Sequence, residues 1–247
     1  MKHFSHSAVR FVCILAAALA LPSFARAADE DPKPTSHSIR EIEHWKVRVD
    51  DRLLQEPAVE TGEAALKLLA ARLLEIEMAV PEPALSKLRE TTIQLDLTHG
   101  HLRIMQYHPS ADWLEANGYS RELAKCVHIP NAGQFLSRYE NHRMPWALLH
   151  ELAHSYHDQV LGFDEPRIAA AWEKFRAGGR YQTVLTINGT QREHYALTNA
   201  KEFFSEMTEC YFGTNDFYPF VAGELQRDEP EIFSLMKEIW GPLPSLK

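Results

Sequence analysis

A chain of 247 residues with 45% apolar side chains can bury a full core, which excludes a disordered polymer. Its 34 acidic residues outnumber the 26 basic ones, for a formal charge of −8. Such a surface disfavours nucleic acid or an anionic lipid surface as the main partner.

At the amino terminus Lys2 and Arg10 precede an apolar run from Phe11 to Leu21, followed by Ala25-Arg26-Ala27. This is the pattern of a secretory signal peptide, cleaved after Ala27. The run is shorter than the ~20 residues of a stable membrane anchor, and Cys13 lies too early in it to be a lipid-modified residue. A secreted or periplasmic protein with no membrane anchor in its mature chain is therefore expected. Processing removes three basic and no acidic side chains, which takes the mature charge to near −11. Cys126 and Cys210 remain, expected as two buried thiols, although an oxidising compartment would permit a bridge.

Residues 28–38 are charged and broken by Pro32 and Pro34, which predicts a flexible leader before a single domain over 39–247. Apolar residues from Ala64 to Met78 recur at helical spacing, and Pro81 and Pro83 end that helix. Thr91–Leu97 alternates Ile93, Leu95 and Leu97 with polar neighbours, and Val127–Ile129 is a second β-like piece stopped by Pro130. A small mixed sheet follows from these. A helix should run from Pro145 to about Val160 and stop at Gly162. Asn188-Gly189 between two β-like runs predicts a hairpin. Helices should then cover Ala200–Phe212, ended by Gly213, and Glu231–Trp240.

The helix from Pro145 carries His150-Glu151-Leu152-Ala153-His154. An i, i+4 pair of imidazoles lies on one helix face, about 6 Å apart along the axis, where both can hold one Zn²⁺. Glu151 is one step round the helix and can act as general base on a metal-bound water. A catalytic zinc needs a third protein ligand. His157 shares the stripe but lies about 10 Å from His150 along the axis, too far for one ion, and is read as a packing or outer residue. Ten residues after His150 stands Val160, where a metzincin would have a histidine. The later helix offers Glu202, Glu206 and Glu209 in one acidic stripe. Asn199 followed by Glu202 also fits a helix capping box. His99 and His101 alternate on one strand face and could bind a metal, but with Gly100 between them and no carboxylate nearby they read as a loop pair, and His44, His108, His128, His142 and His194 have no ligand partner that the sequence names.

Tyr195 stands seven residues before Glu202-Phe203-Phe204-Ser205-Glu206, downstream of the His150–His154 motif. In this arrangement, over about residues 145–212, the chain resembles the catalytic domain of anthrax lethal factor and its gluzincin relatives. The resemblance implies an α+β, zincin-like metallopeptidase domain with an active-site helix, a small mixed sheet and a helical amino-terminal part. It implies His150, His154 and Glu202 as zinc ligands, Glu151 as base and Tyr195 as hydrogen-bond donor to the developing oxyanion. Glu206 looks like the outer carboxylate that fixes a ligand imidazole. Packing of Tyr195 in the hairpin and solvation of Glu206 are the competing readings. Nothing here resembles the toxin's delivery domains, so toxin action is not implied. The expected activity is that of a zinc metalloendopeptidase on a peptide or protein substrate. The alternatives are a zinc-binding recognition module without turnover and a zinc amidase acting on a non-protein substrate. Cys126–Pro130 could supply the edge strand against which an extended substrate lies, or be an ordinary strand.

Overall fold

The computed structural model describes residues 30–243, so the signal peptide expected over 1–27 lies outside the described residues. In chain order these residues form β1 (His37–Ile42), β2 (Trp45–Asp50), α1 (Val59–Ala79), α2 (Ala84–Arg89), β3 (Thr92–Leu95), β4 (Gln106–Tyr107), α3 (Ala111–Ala116) and β5 (Cys126–Ile129). Then come α4 (Ala132–Phe135), α5 (Arg138–Arg143), α6 (Ala147–Tyr156), α7 (Pro166–Ala177), β6 (Val184–Leu185) and β7 (Gln191–Arg192). The chain ends with α8 (Ala200–Phe212), α9 (Ala222–Asp228) and α10 (Pro230–Trp240). Among the described residues the fold is mixed α/β, with ten α-helices, one five-stranded sheet and one two-stranded sheet.

The larger sheet is mixed, in the order β1-β2-β3-β5-β4, with β2, β3 and β5 parallel and β1 and β4 antiparallel to their neighbours. Its register places Val47, Ile93 and Val127 side by side, and all three are buried. β1 and β2 join through Glu43-His44, at φ 44° and 65°, a two-residue turn with both residues in the left-handed region. β5 is an inner strand with all four residues buried, and β4 forms the edge beside it. The segment Cys126–Pro130 is therefore not the edge strand, because residues 106 and 107 pair along its free side.

The stripe Gly62, Ala65, Leu69, Leu73 and Ile76 faces inward on α1, sharing one core with the sheet and with Leu148, Leu149 and Leu152 of α6. Leu74 and Met78, expected on the apolar side, are exposed. Packing begins before the predicted domain start. Asp31 bridges Gly100, Pro32 O accepts from Arg52 and Thr98, and His37 already lies in β1. Hydrogen bonds to the body thus outweigh the charged, proline-broken composition that read as a leader. Cys126 and Cys210 are separate buried thiols. No helix among the described residues is long and apolar enough to cross a membrane.

Candidate metal centre

Two helices set the site. In α6, Leu148, Leu149, Leu152 and Ala153 are buried, which fixes the helix's rotation and turns His150, Glu151 and His154 toward a cleft. The helix starts at Ala147, two residues after Pro145, and passes into a π-helical turn over His157–Leu161, closed by Gly162 at φ 85°. In α8, Phe203, Phe204 and Met207 enter the core and leave the Glu202, Glu206, Glu209 stripe facing α6. The Asn199 side chain accepts from the amides of Lys201 and Glu202, so it caps α8 by itself. The Glu202 carboxylate does not return to that cap but meets both imidazoles.

The atoms His150 Nε2, His154 Nε2 and Glu202 Oε2 form a triangle with sides of 3.1, 3.2 and 3.2 Å. An ion held tetrahedrally by arms of about 2.0–2.1 Å has donor-to-donor edges of about 3.3–3.4 Å. The triangle is therefore near the size that one such ion requires. His150 Nδ1 lies 2.7 Å from Glu209 Oε1, and an ionised carboxylate only accepts, so the imidazole proton belongs on Nδ1. Neutral His150 then turns its Nε2 lone pair on a carboxylate oxygen, which is repulsive unless a cation or a second proton lies between them. Burial works against that second proton, but the Glu202 and Glu209 carboxylates hold the His150 pKa well above its ordinary value. Burial would likewise raise Glu202, yet its contacts with His150 and His154 hold its carboxyl well below the usual range. This arrangement stabilises positive charge at its centre.

Glu151 flanks the triangle. Its Oε2 accepts the Tyr107 amide of β4 at 2.7 Å, which couples α6 to the sheet edge. Burial pushes its pKa up, opposed by His154 and His150. Tyr195, on a 3₁₀ turn before α8, lines the same cleft with its ring centroid 6.5 Å from that of His150. Burial, followed by the Glu202 charge, raises its phenol pKa. The cleft encloses about 760 Å³, with Ile104, Met105, Phe135 and Met144 among its apolar lining and Arg143 and Arg192 among its cationic lining.

The structure corrects the expectation for the outer carboxylate. Glu209 makes the 2.7 Å contact with His150, whereas Glu206 stays 3.9 Å from the same nitrogen. One further helical turn along α8 brings the acid opposite His150 Nδ1. Glu206 is buried, and its Oε2 has no hydrogen-bond partner. Burial, then Asp216 and Glu209, push its pKa well above the usual carboxylate value. Burial and Glu209 bring Asp216 up to about 7. His157 takes a packing place, wholly buried between the rings of Phe163 and Phe204, and both of its nitrogens lack partners.

Asp216 and the Tyr107 amide were not found in the sequence. A main-chain donor carries no residue signature, and Asp216 reaches the site from a loop beyond α8. A second group, Asp96, His99 and His128, also brings metal-ligating atoms together, all within 4.8 Å of one another. His128, for which the sequence named no ligand partner, thus has one, and His99, in a loop as expected, has a carboxylate nearby after all. His128 Nε2 and His99 Nδ1 each lie 2.7 Å from Asp96 Oδ2, because parallel pairing of β3 with β5 brings Asp96 and His128 together.

Comparison of the chain with family models, with curated proteins and with solved structures gave no match.

Proposed function

We propose that this protein is an exported zinc metallopeptidase of gluzincin type, with a zincin-like fold. The observation that carries the reading is the near-equilateral triangle of His150, His154 and Glu202 donor atoms, with Glu151 beside it, at the floor of an open cleft. Two imidazoles and one carboxylate suit Zn²⁺ and leave room for a fourth, exchangeable position. When bound, the ion would lower the pKa of a water to about 7 and polarise a substrate carbonyl.

The chain's own residues divide the remaining work. Glu209 holds His150 in the tautomer that presents Nε2 to the site. Glu151 accepts the proton of the attacking water and can pass it to the leaving amine, its Oε2 steadied by the Tyr107 amide. Tyr195 donates a hydrogen bond to the oxygen that gains charge as the carbonyl becomes tetrahedral. The sheet edge at β4 borders the cleft, and although its Tyr107 amide is held by Glu151, the backbone beside it can face an extended peptide, which favours a peptide substrate. Export rests on the amino-terminal sequence pattern.

The test combines metal analysis with digestion of a mixed peptide library and of purified cell-wall material. Wild type should bind zinc and cleave peptides. Glu151→Gln should retain zinc and lose turnover by about 10²-fold or more, and Glu202→Ala should lose the zinc of this site. Full activity in Glu151→Gln would remove the proposed base. Bound zinc without cleavage of any peptide would leave a recognition module, and cleavage of wall material alone an amidase.

A further inference from the structure

We infer that Asp96, His99 and His128 form a second metal site, a structural one for a divalent transition-metal ion, separate from the cleft. The donors come from different parts of the chain. Asp96 follows β3, His99 lies in the loop toward β4, and His128 is in β5. His37 of β1 adds a third imidazole, 2.8 Å from Asp96 Oδ1.

The contacts of Asp96 are crowded. Its Oδ2 faces Gln94 Nε2 at 2.9 Å, His99 Nδ1 at 2.7 Å and His128 Nε2 at 2.7 Å. Three neighbours within 2.9 Å crowd one carboxylate oxygen, which has two lone pairs. An ion held by Oδ2, His99 Nδ1 and His128 Nε2 would relieve this crowding and leave the Gln94 amide and the His37 imidazole as donors to the bound carboxylate. The imidazoles would move from 2.7 Å to the tetrahedral edge of about 3.3 Å from the oxygen. That is a shift of roughly half an ångström.

The surroundings are those of a structural site. Asp96 and His128 are fully buried and His99 is 5% exposed. His128 Nδ1 meets His108 Nε2 at 3.2 Å, an outer contact that can take the Nδ1 proton and turn the Nε2 lone pair inward. Two imidazoles and a carboxylate suit zinc and its first-row neighbours, and the burial suits a closed position without exchange of substrate.

The site lies at the base of the loop that builds one wall of the cleft. From His99 the chain runs through His101, Arg103 and Met105, all lining the cleft, to Tyr107, whose amide holds Glu151. An ion at Asp96 would anchor that loop to β3 and β5 together. It would take no part in bond cleavage.

Metal stoichiometry by mass spectrometry of the full chain, purified from zinc-replete culture and dialysed against a weak chelator, tests this. Wild type should carry two equivalents of zinc, and the His154→Ala/Glu202→Ala double variant one. Adding His99→Gln to that double variant should abolish the last. Cobalt(II) loaded into the double variant should give the visible absorption of a tetrahedral site, again lost with His99→Gln. A folded double variant without metal overturns the second site and leaves Asp96 at the centre of a hydrogen-bonded network. One equivalent in wild type that persists in the double variant supports the second site and removes the metal from the cleft, so the two claims fail separately.

Discussion

At the scale of single residues, the carboxylates of α8 have different tasks although they look alike in the sequence. Glu202 meets His150 Nε2, Glu209 accepts from His150 Nδ1, and Glu206 between them is buried with its pKa pushed up. Glu209→Gln should therefore weaken zinc binding at the cleft by about 10- to 100-fold, because the amide no longer enforces the ligand tautomer. Glu206→Gln keeps the shape of a side chain that stays 3.9 Å from that nitrogen and should leave the affinity near wild type. Competition titration with a zinc-sensitive chelator measures both. If Glu206→Gln proved the more damaging, the assignment from the 2.7 and 3.9 Å contacts would be wrong.

At the scale of elements, the position of α6 against α8 decides whether the donors meet, and Gly213 is a lock on that pairing. A Cβ at this position would fall 2.1–2.3 Å from indole atoms of Trp146, whose carbonyl accepts the His150 amide. Gly213→Ala should therefore destabilise the protein by about 1–3 kcal/mol, seen as a lower urea midpoint, and weaken metal binding as α6 shifts. An unchanged midpoint would mean that Trp146 moves freely and does not brace the helix. The sequence marked the end of α8 at Gly213, but only as a helix stop; its contact with Trp146 lies across 67 positions that no local pattern connects. Long periodic elements were legible for the same reason that motifs were: α1, α6, α8 and α10 advertise themselves through spacing and through Pro, Gly or Asn near their ends. The β1–β2 hairpin was hidden because Glu43-His44 adopts a geometry that usually attracts Asn-Gly. The Asp96 cluster was hidden because strand pairing, not sequence proximity, assembles it.

For the molecule as a whole, buried neutral histidines tie folding to pH. His157 has no hydrogen-bond partner on either nitrogen, and burial, then the charges of His154 and Lys201, push it down to about 4. Burial alone pushes His194 down to about 3, and its Nδ1 accepts the Ala196 amide at 3.1 Å, a bond that requires the neutral ring. In the unfolded chain both titrate near 6.5. Between that value and their folded values the unfolded state binds more protons, so stability is complete above about pH 6.5 and declines as the pH falls toward 4 and 3. Each histidine contributes a slope of about 1.4 kcal/mol per pH unit within its window. His157→Phe places a third ring beside Phe163 and Phe204 and removes one titrating group. Other groups also take up protons on acidification, but wild type and variant share them, so the difference between their urea-unfolding profiles isolates His157. That difference should be small at pH 7 and grow in favour of the variant by about 3 kcal/mol at pH 4. Parallel profiles would show that His157 is protonated in the fold or reached by water, and that its burial does not govern the acid limit.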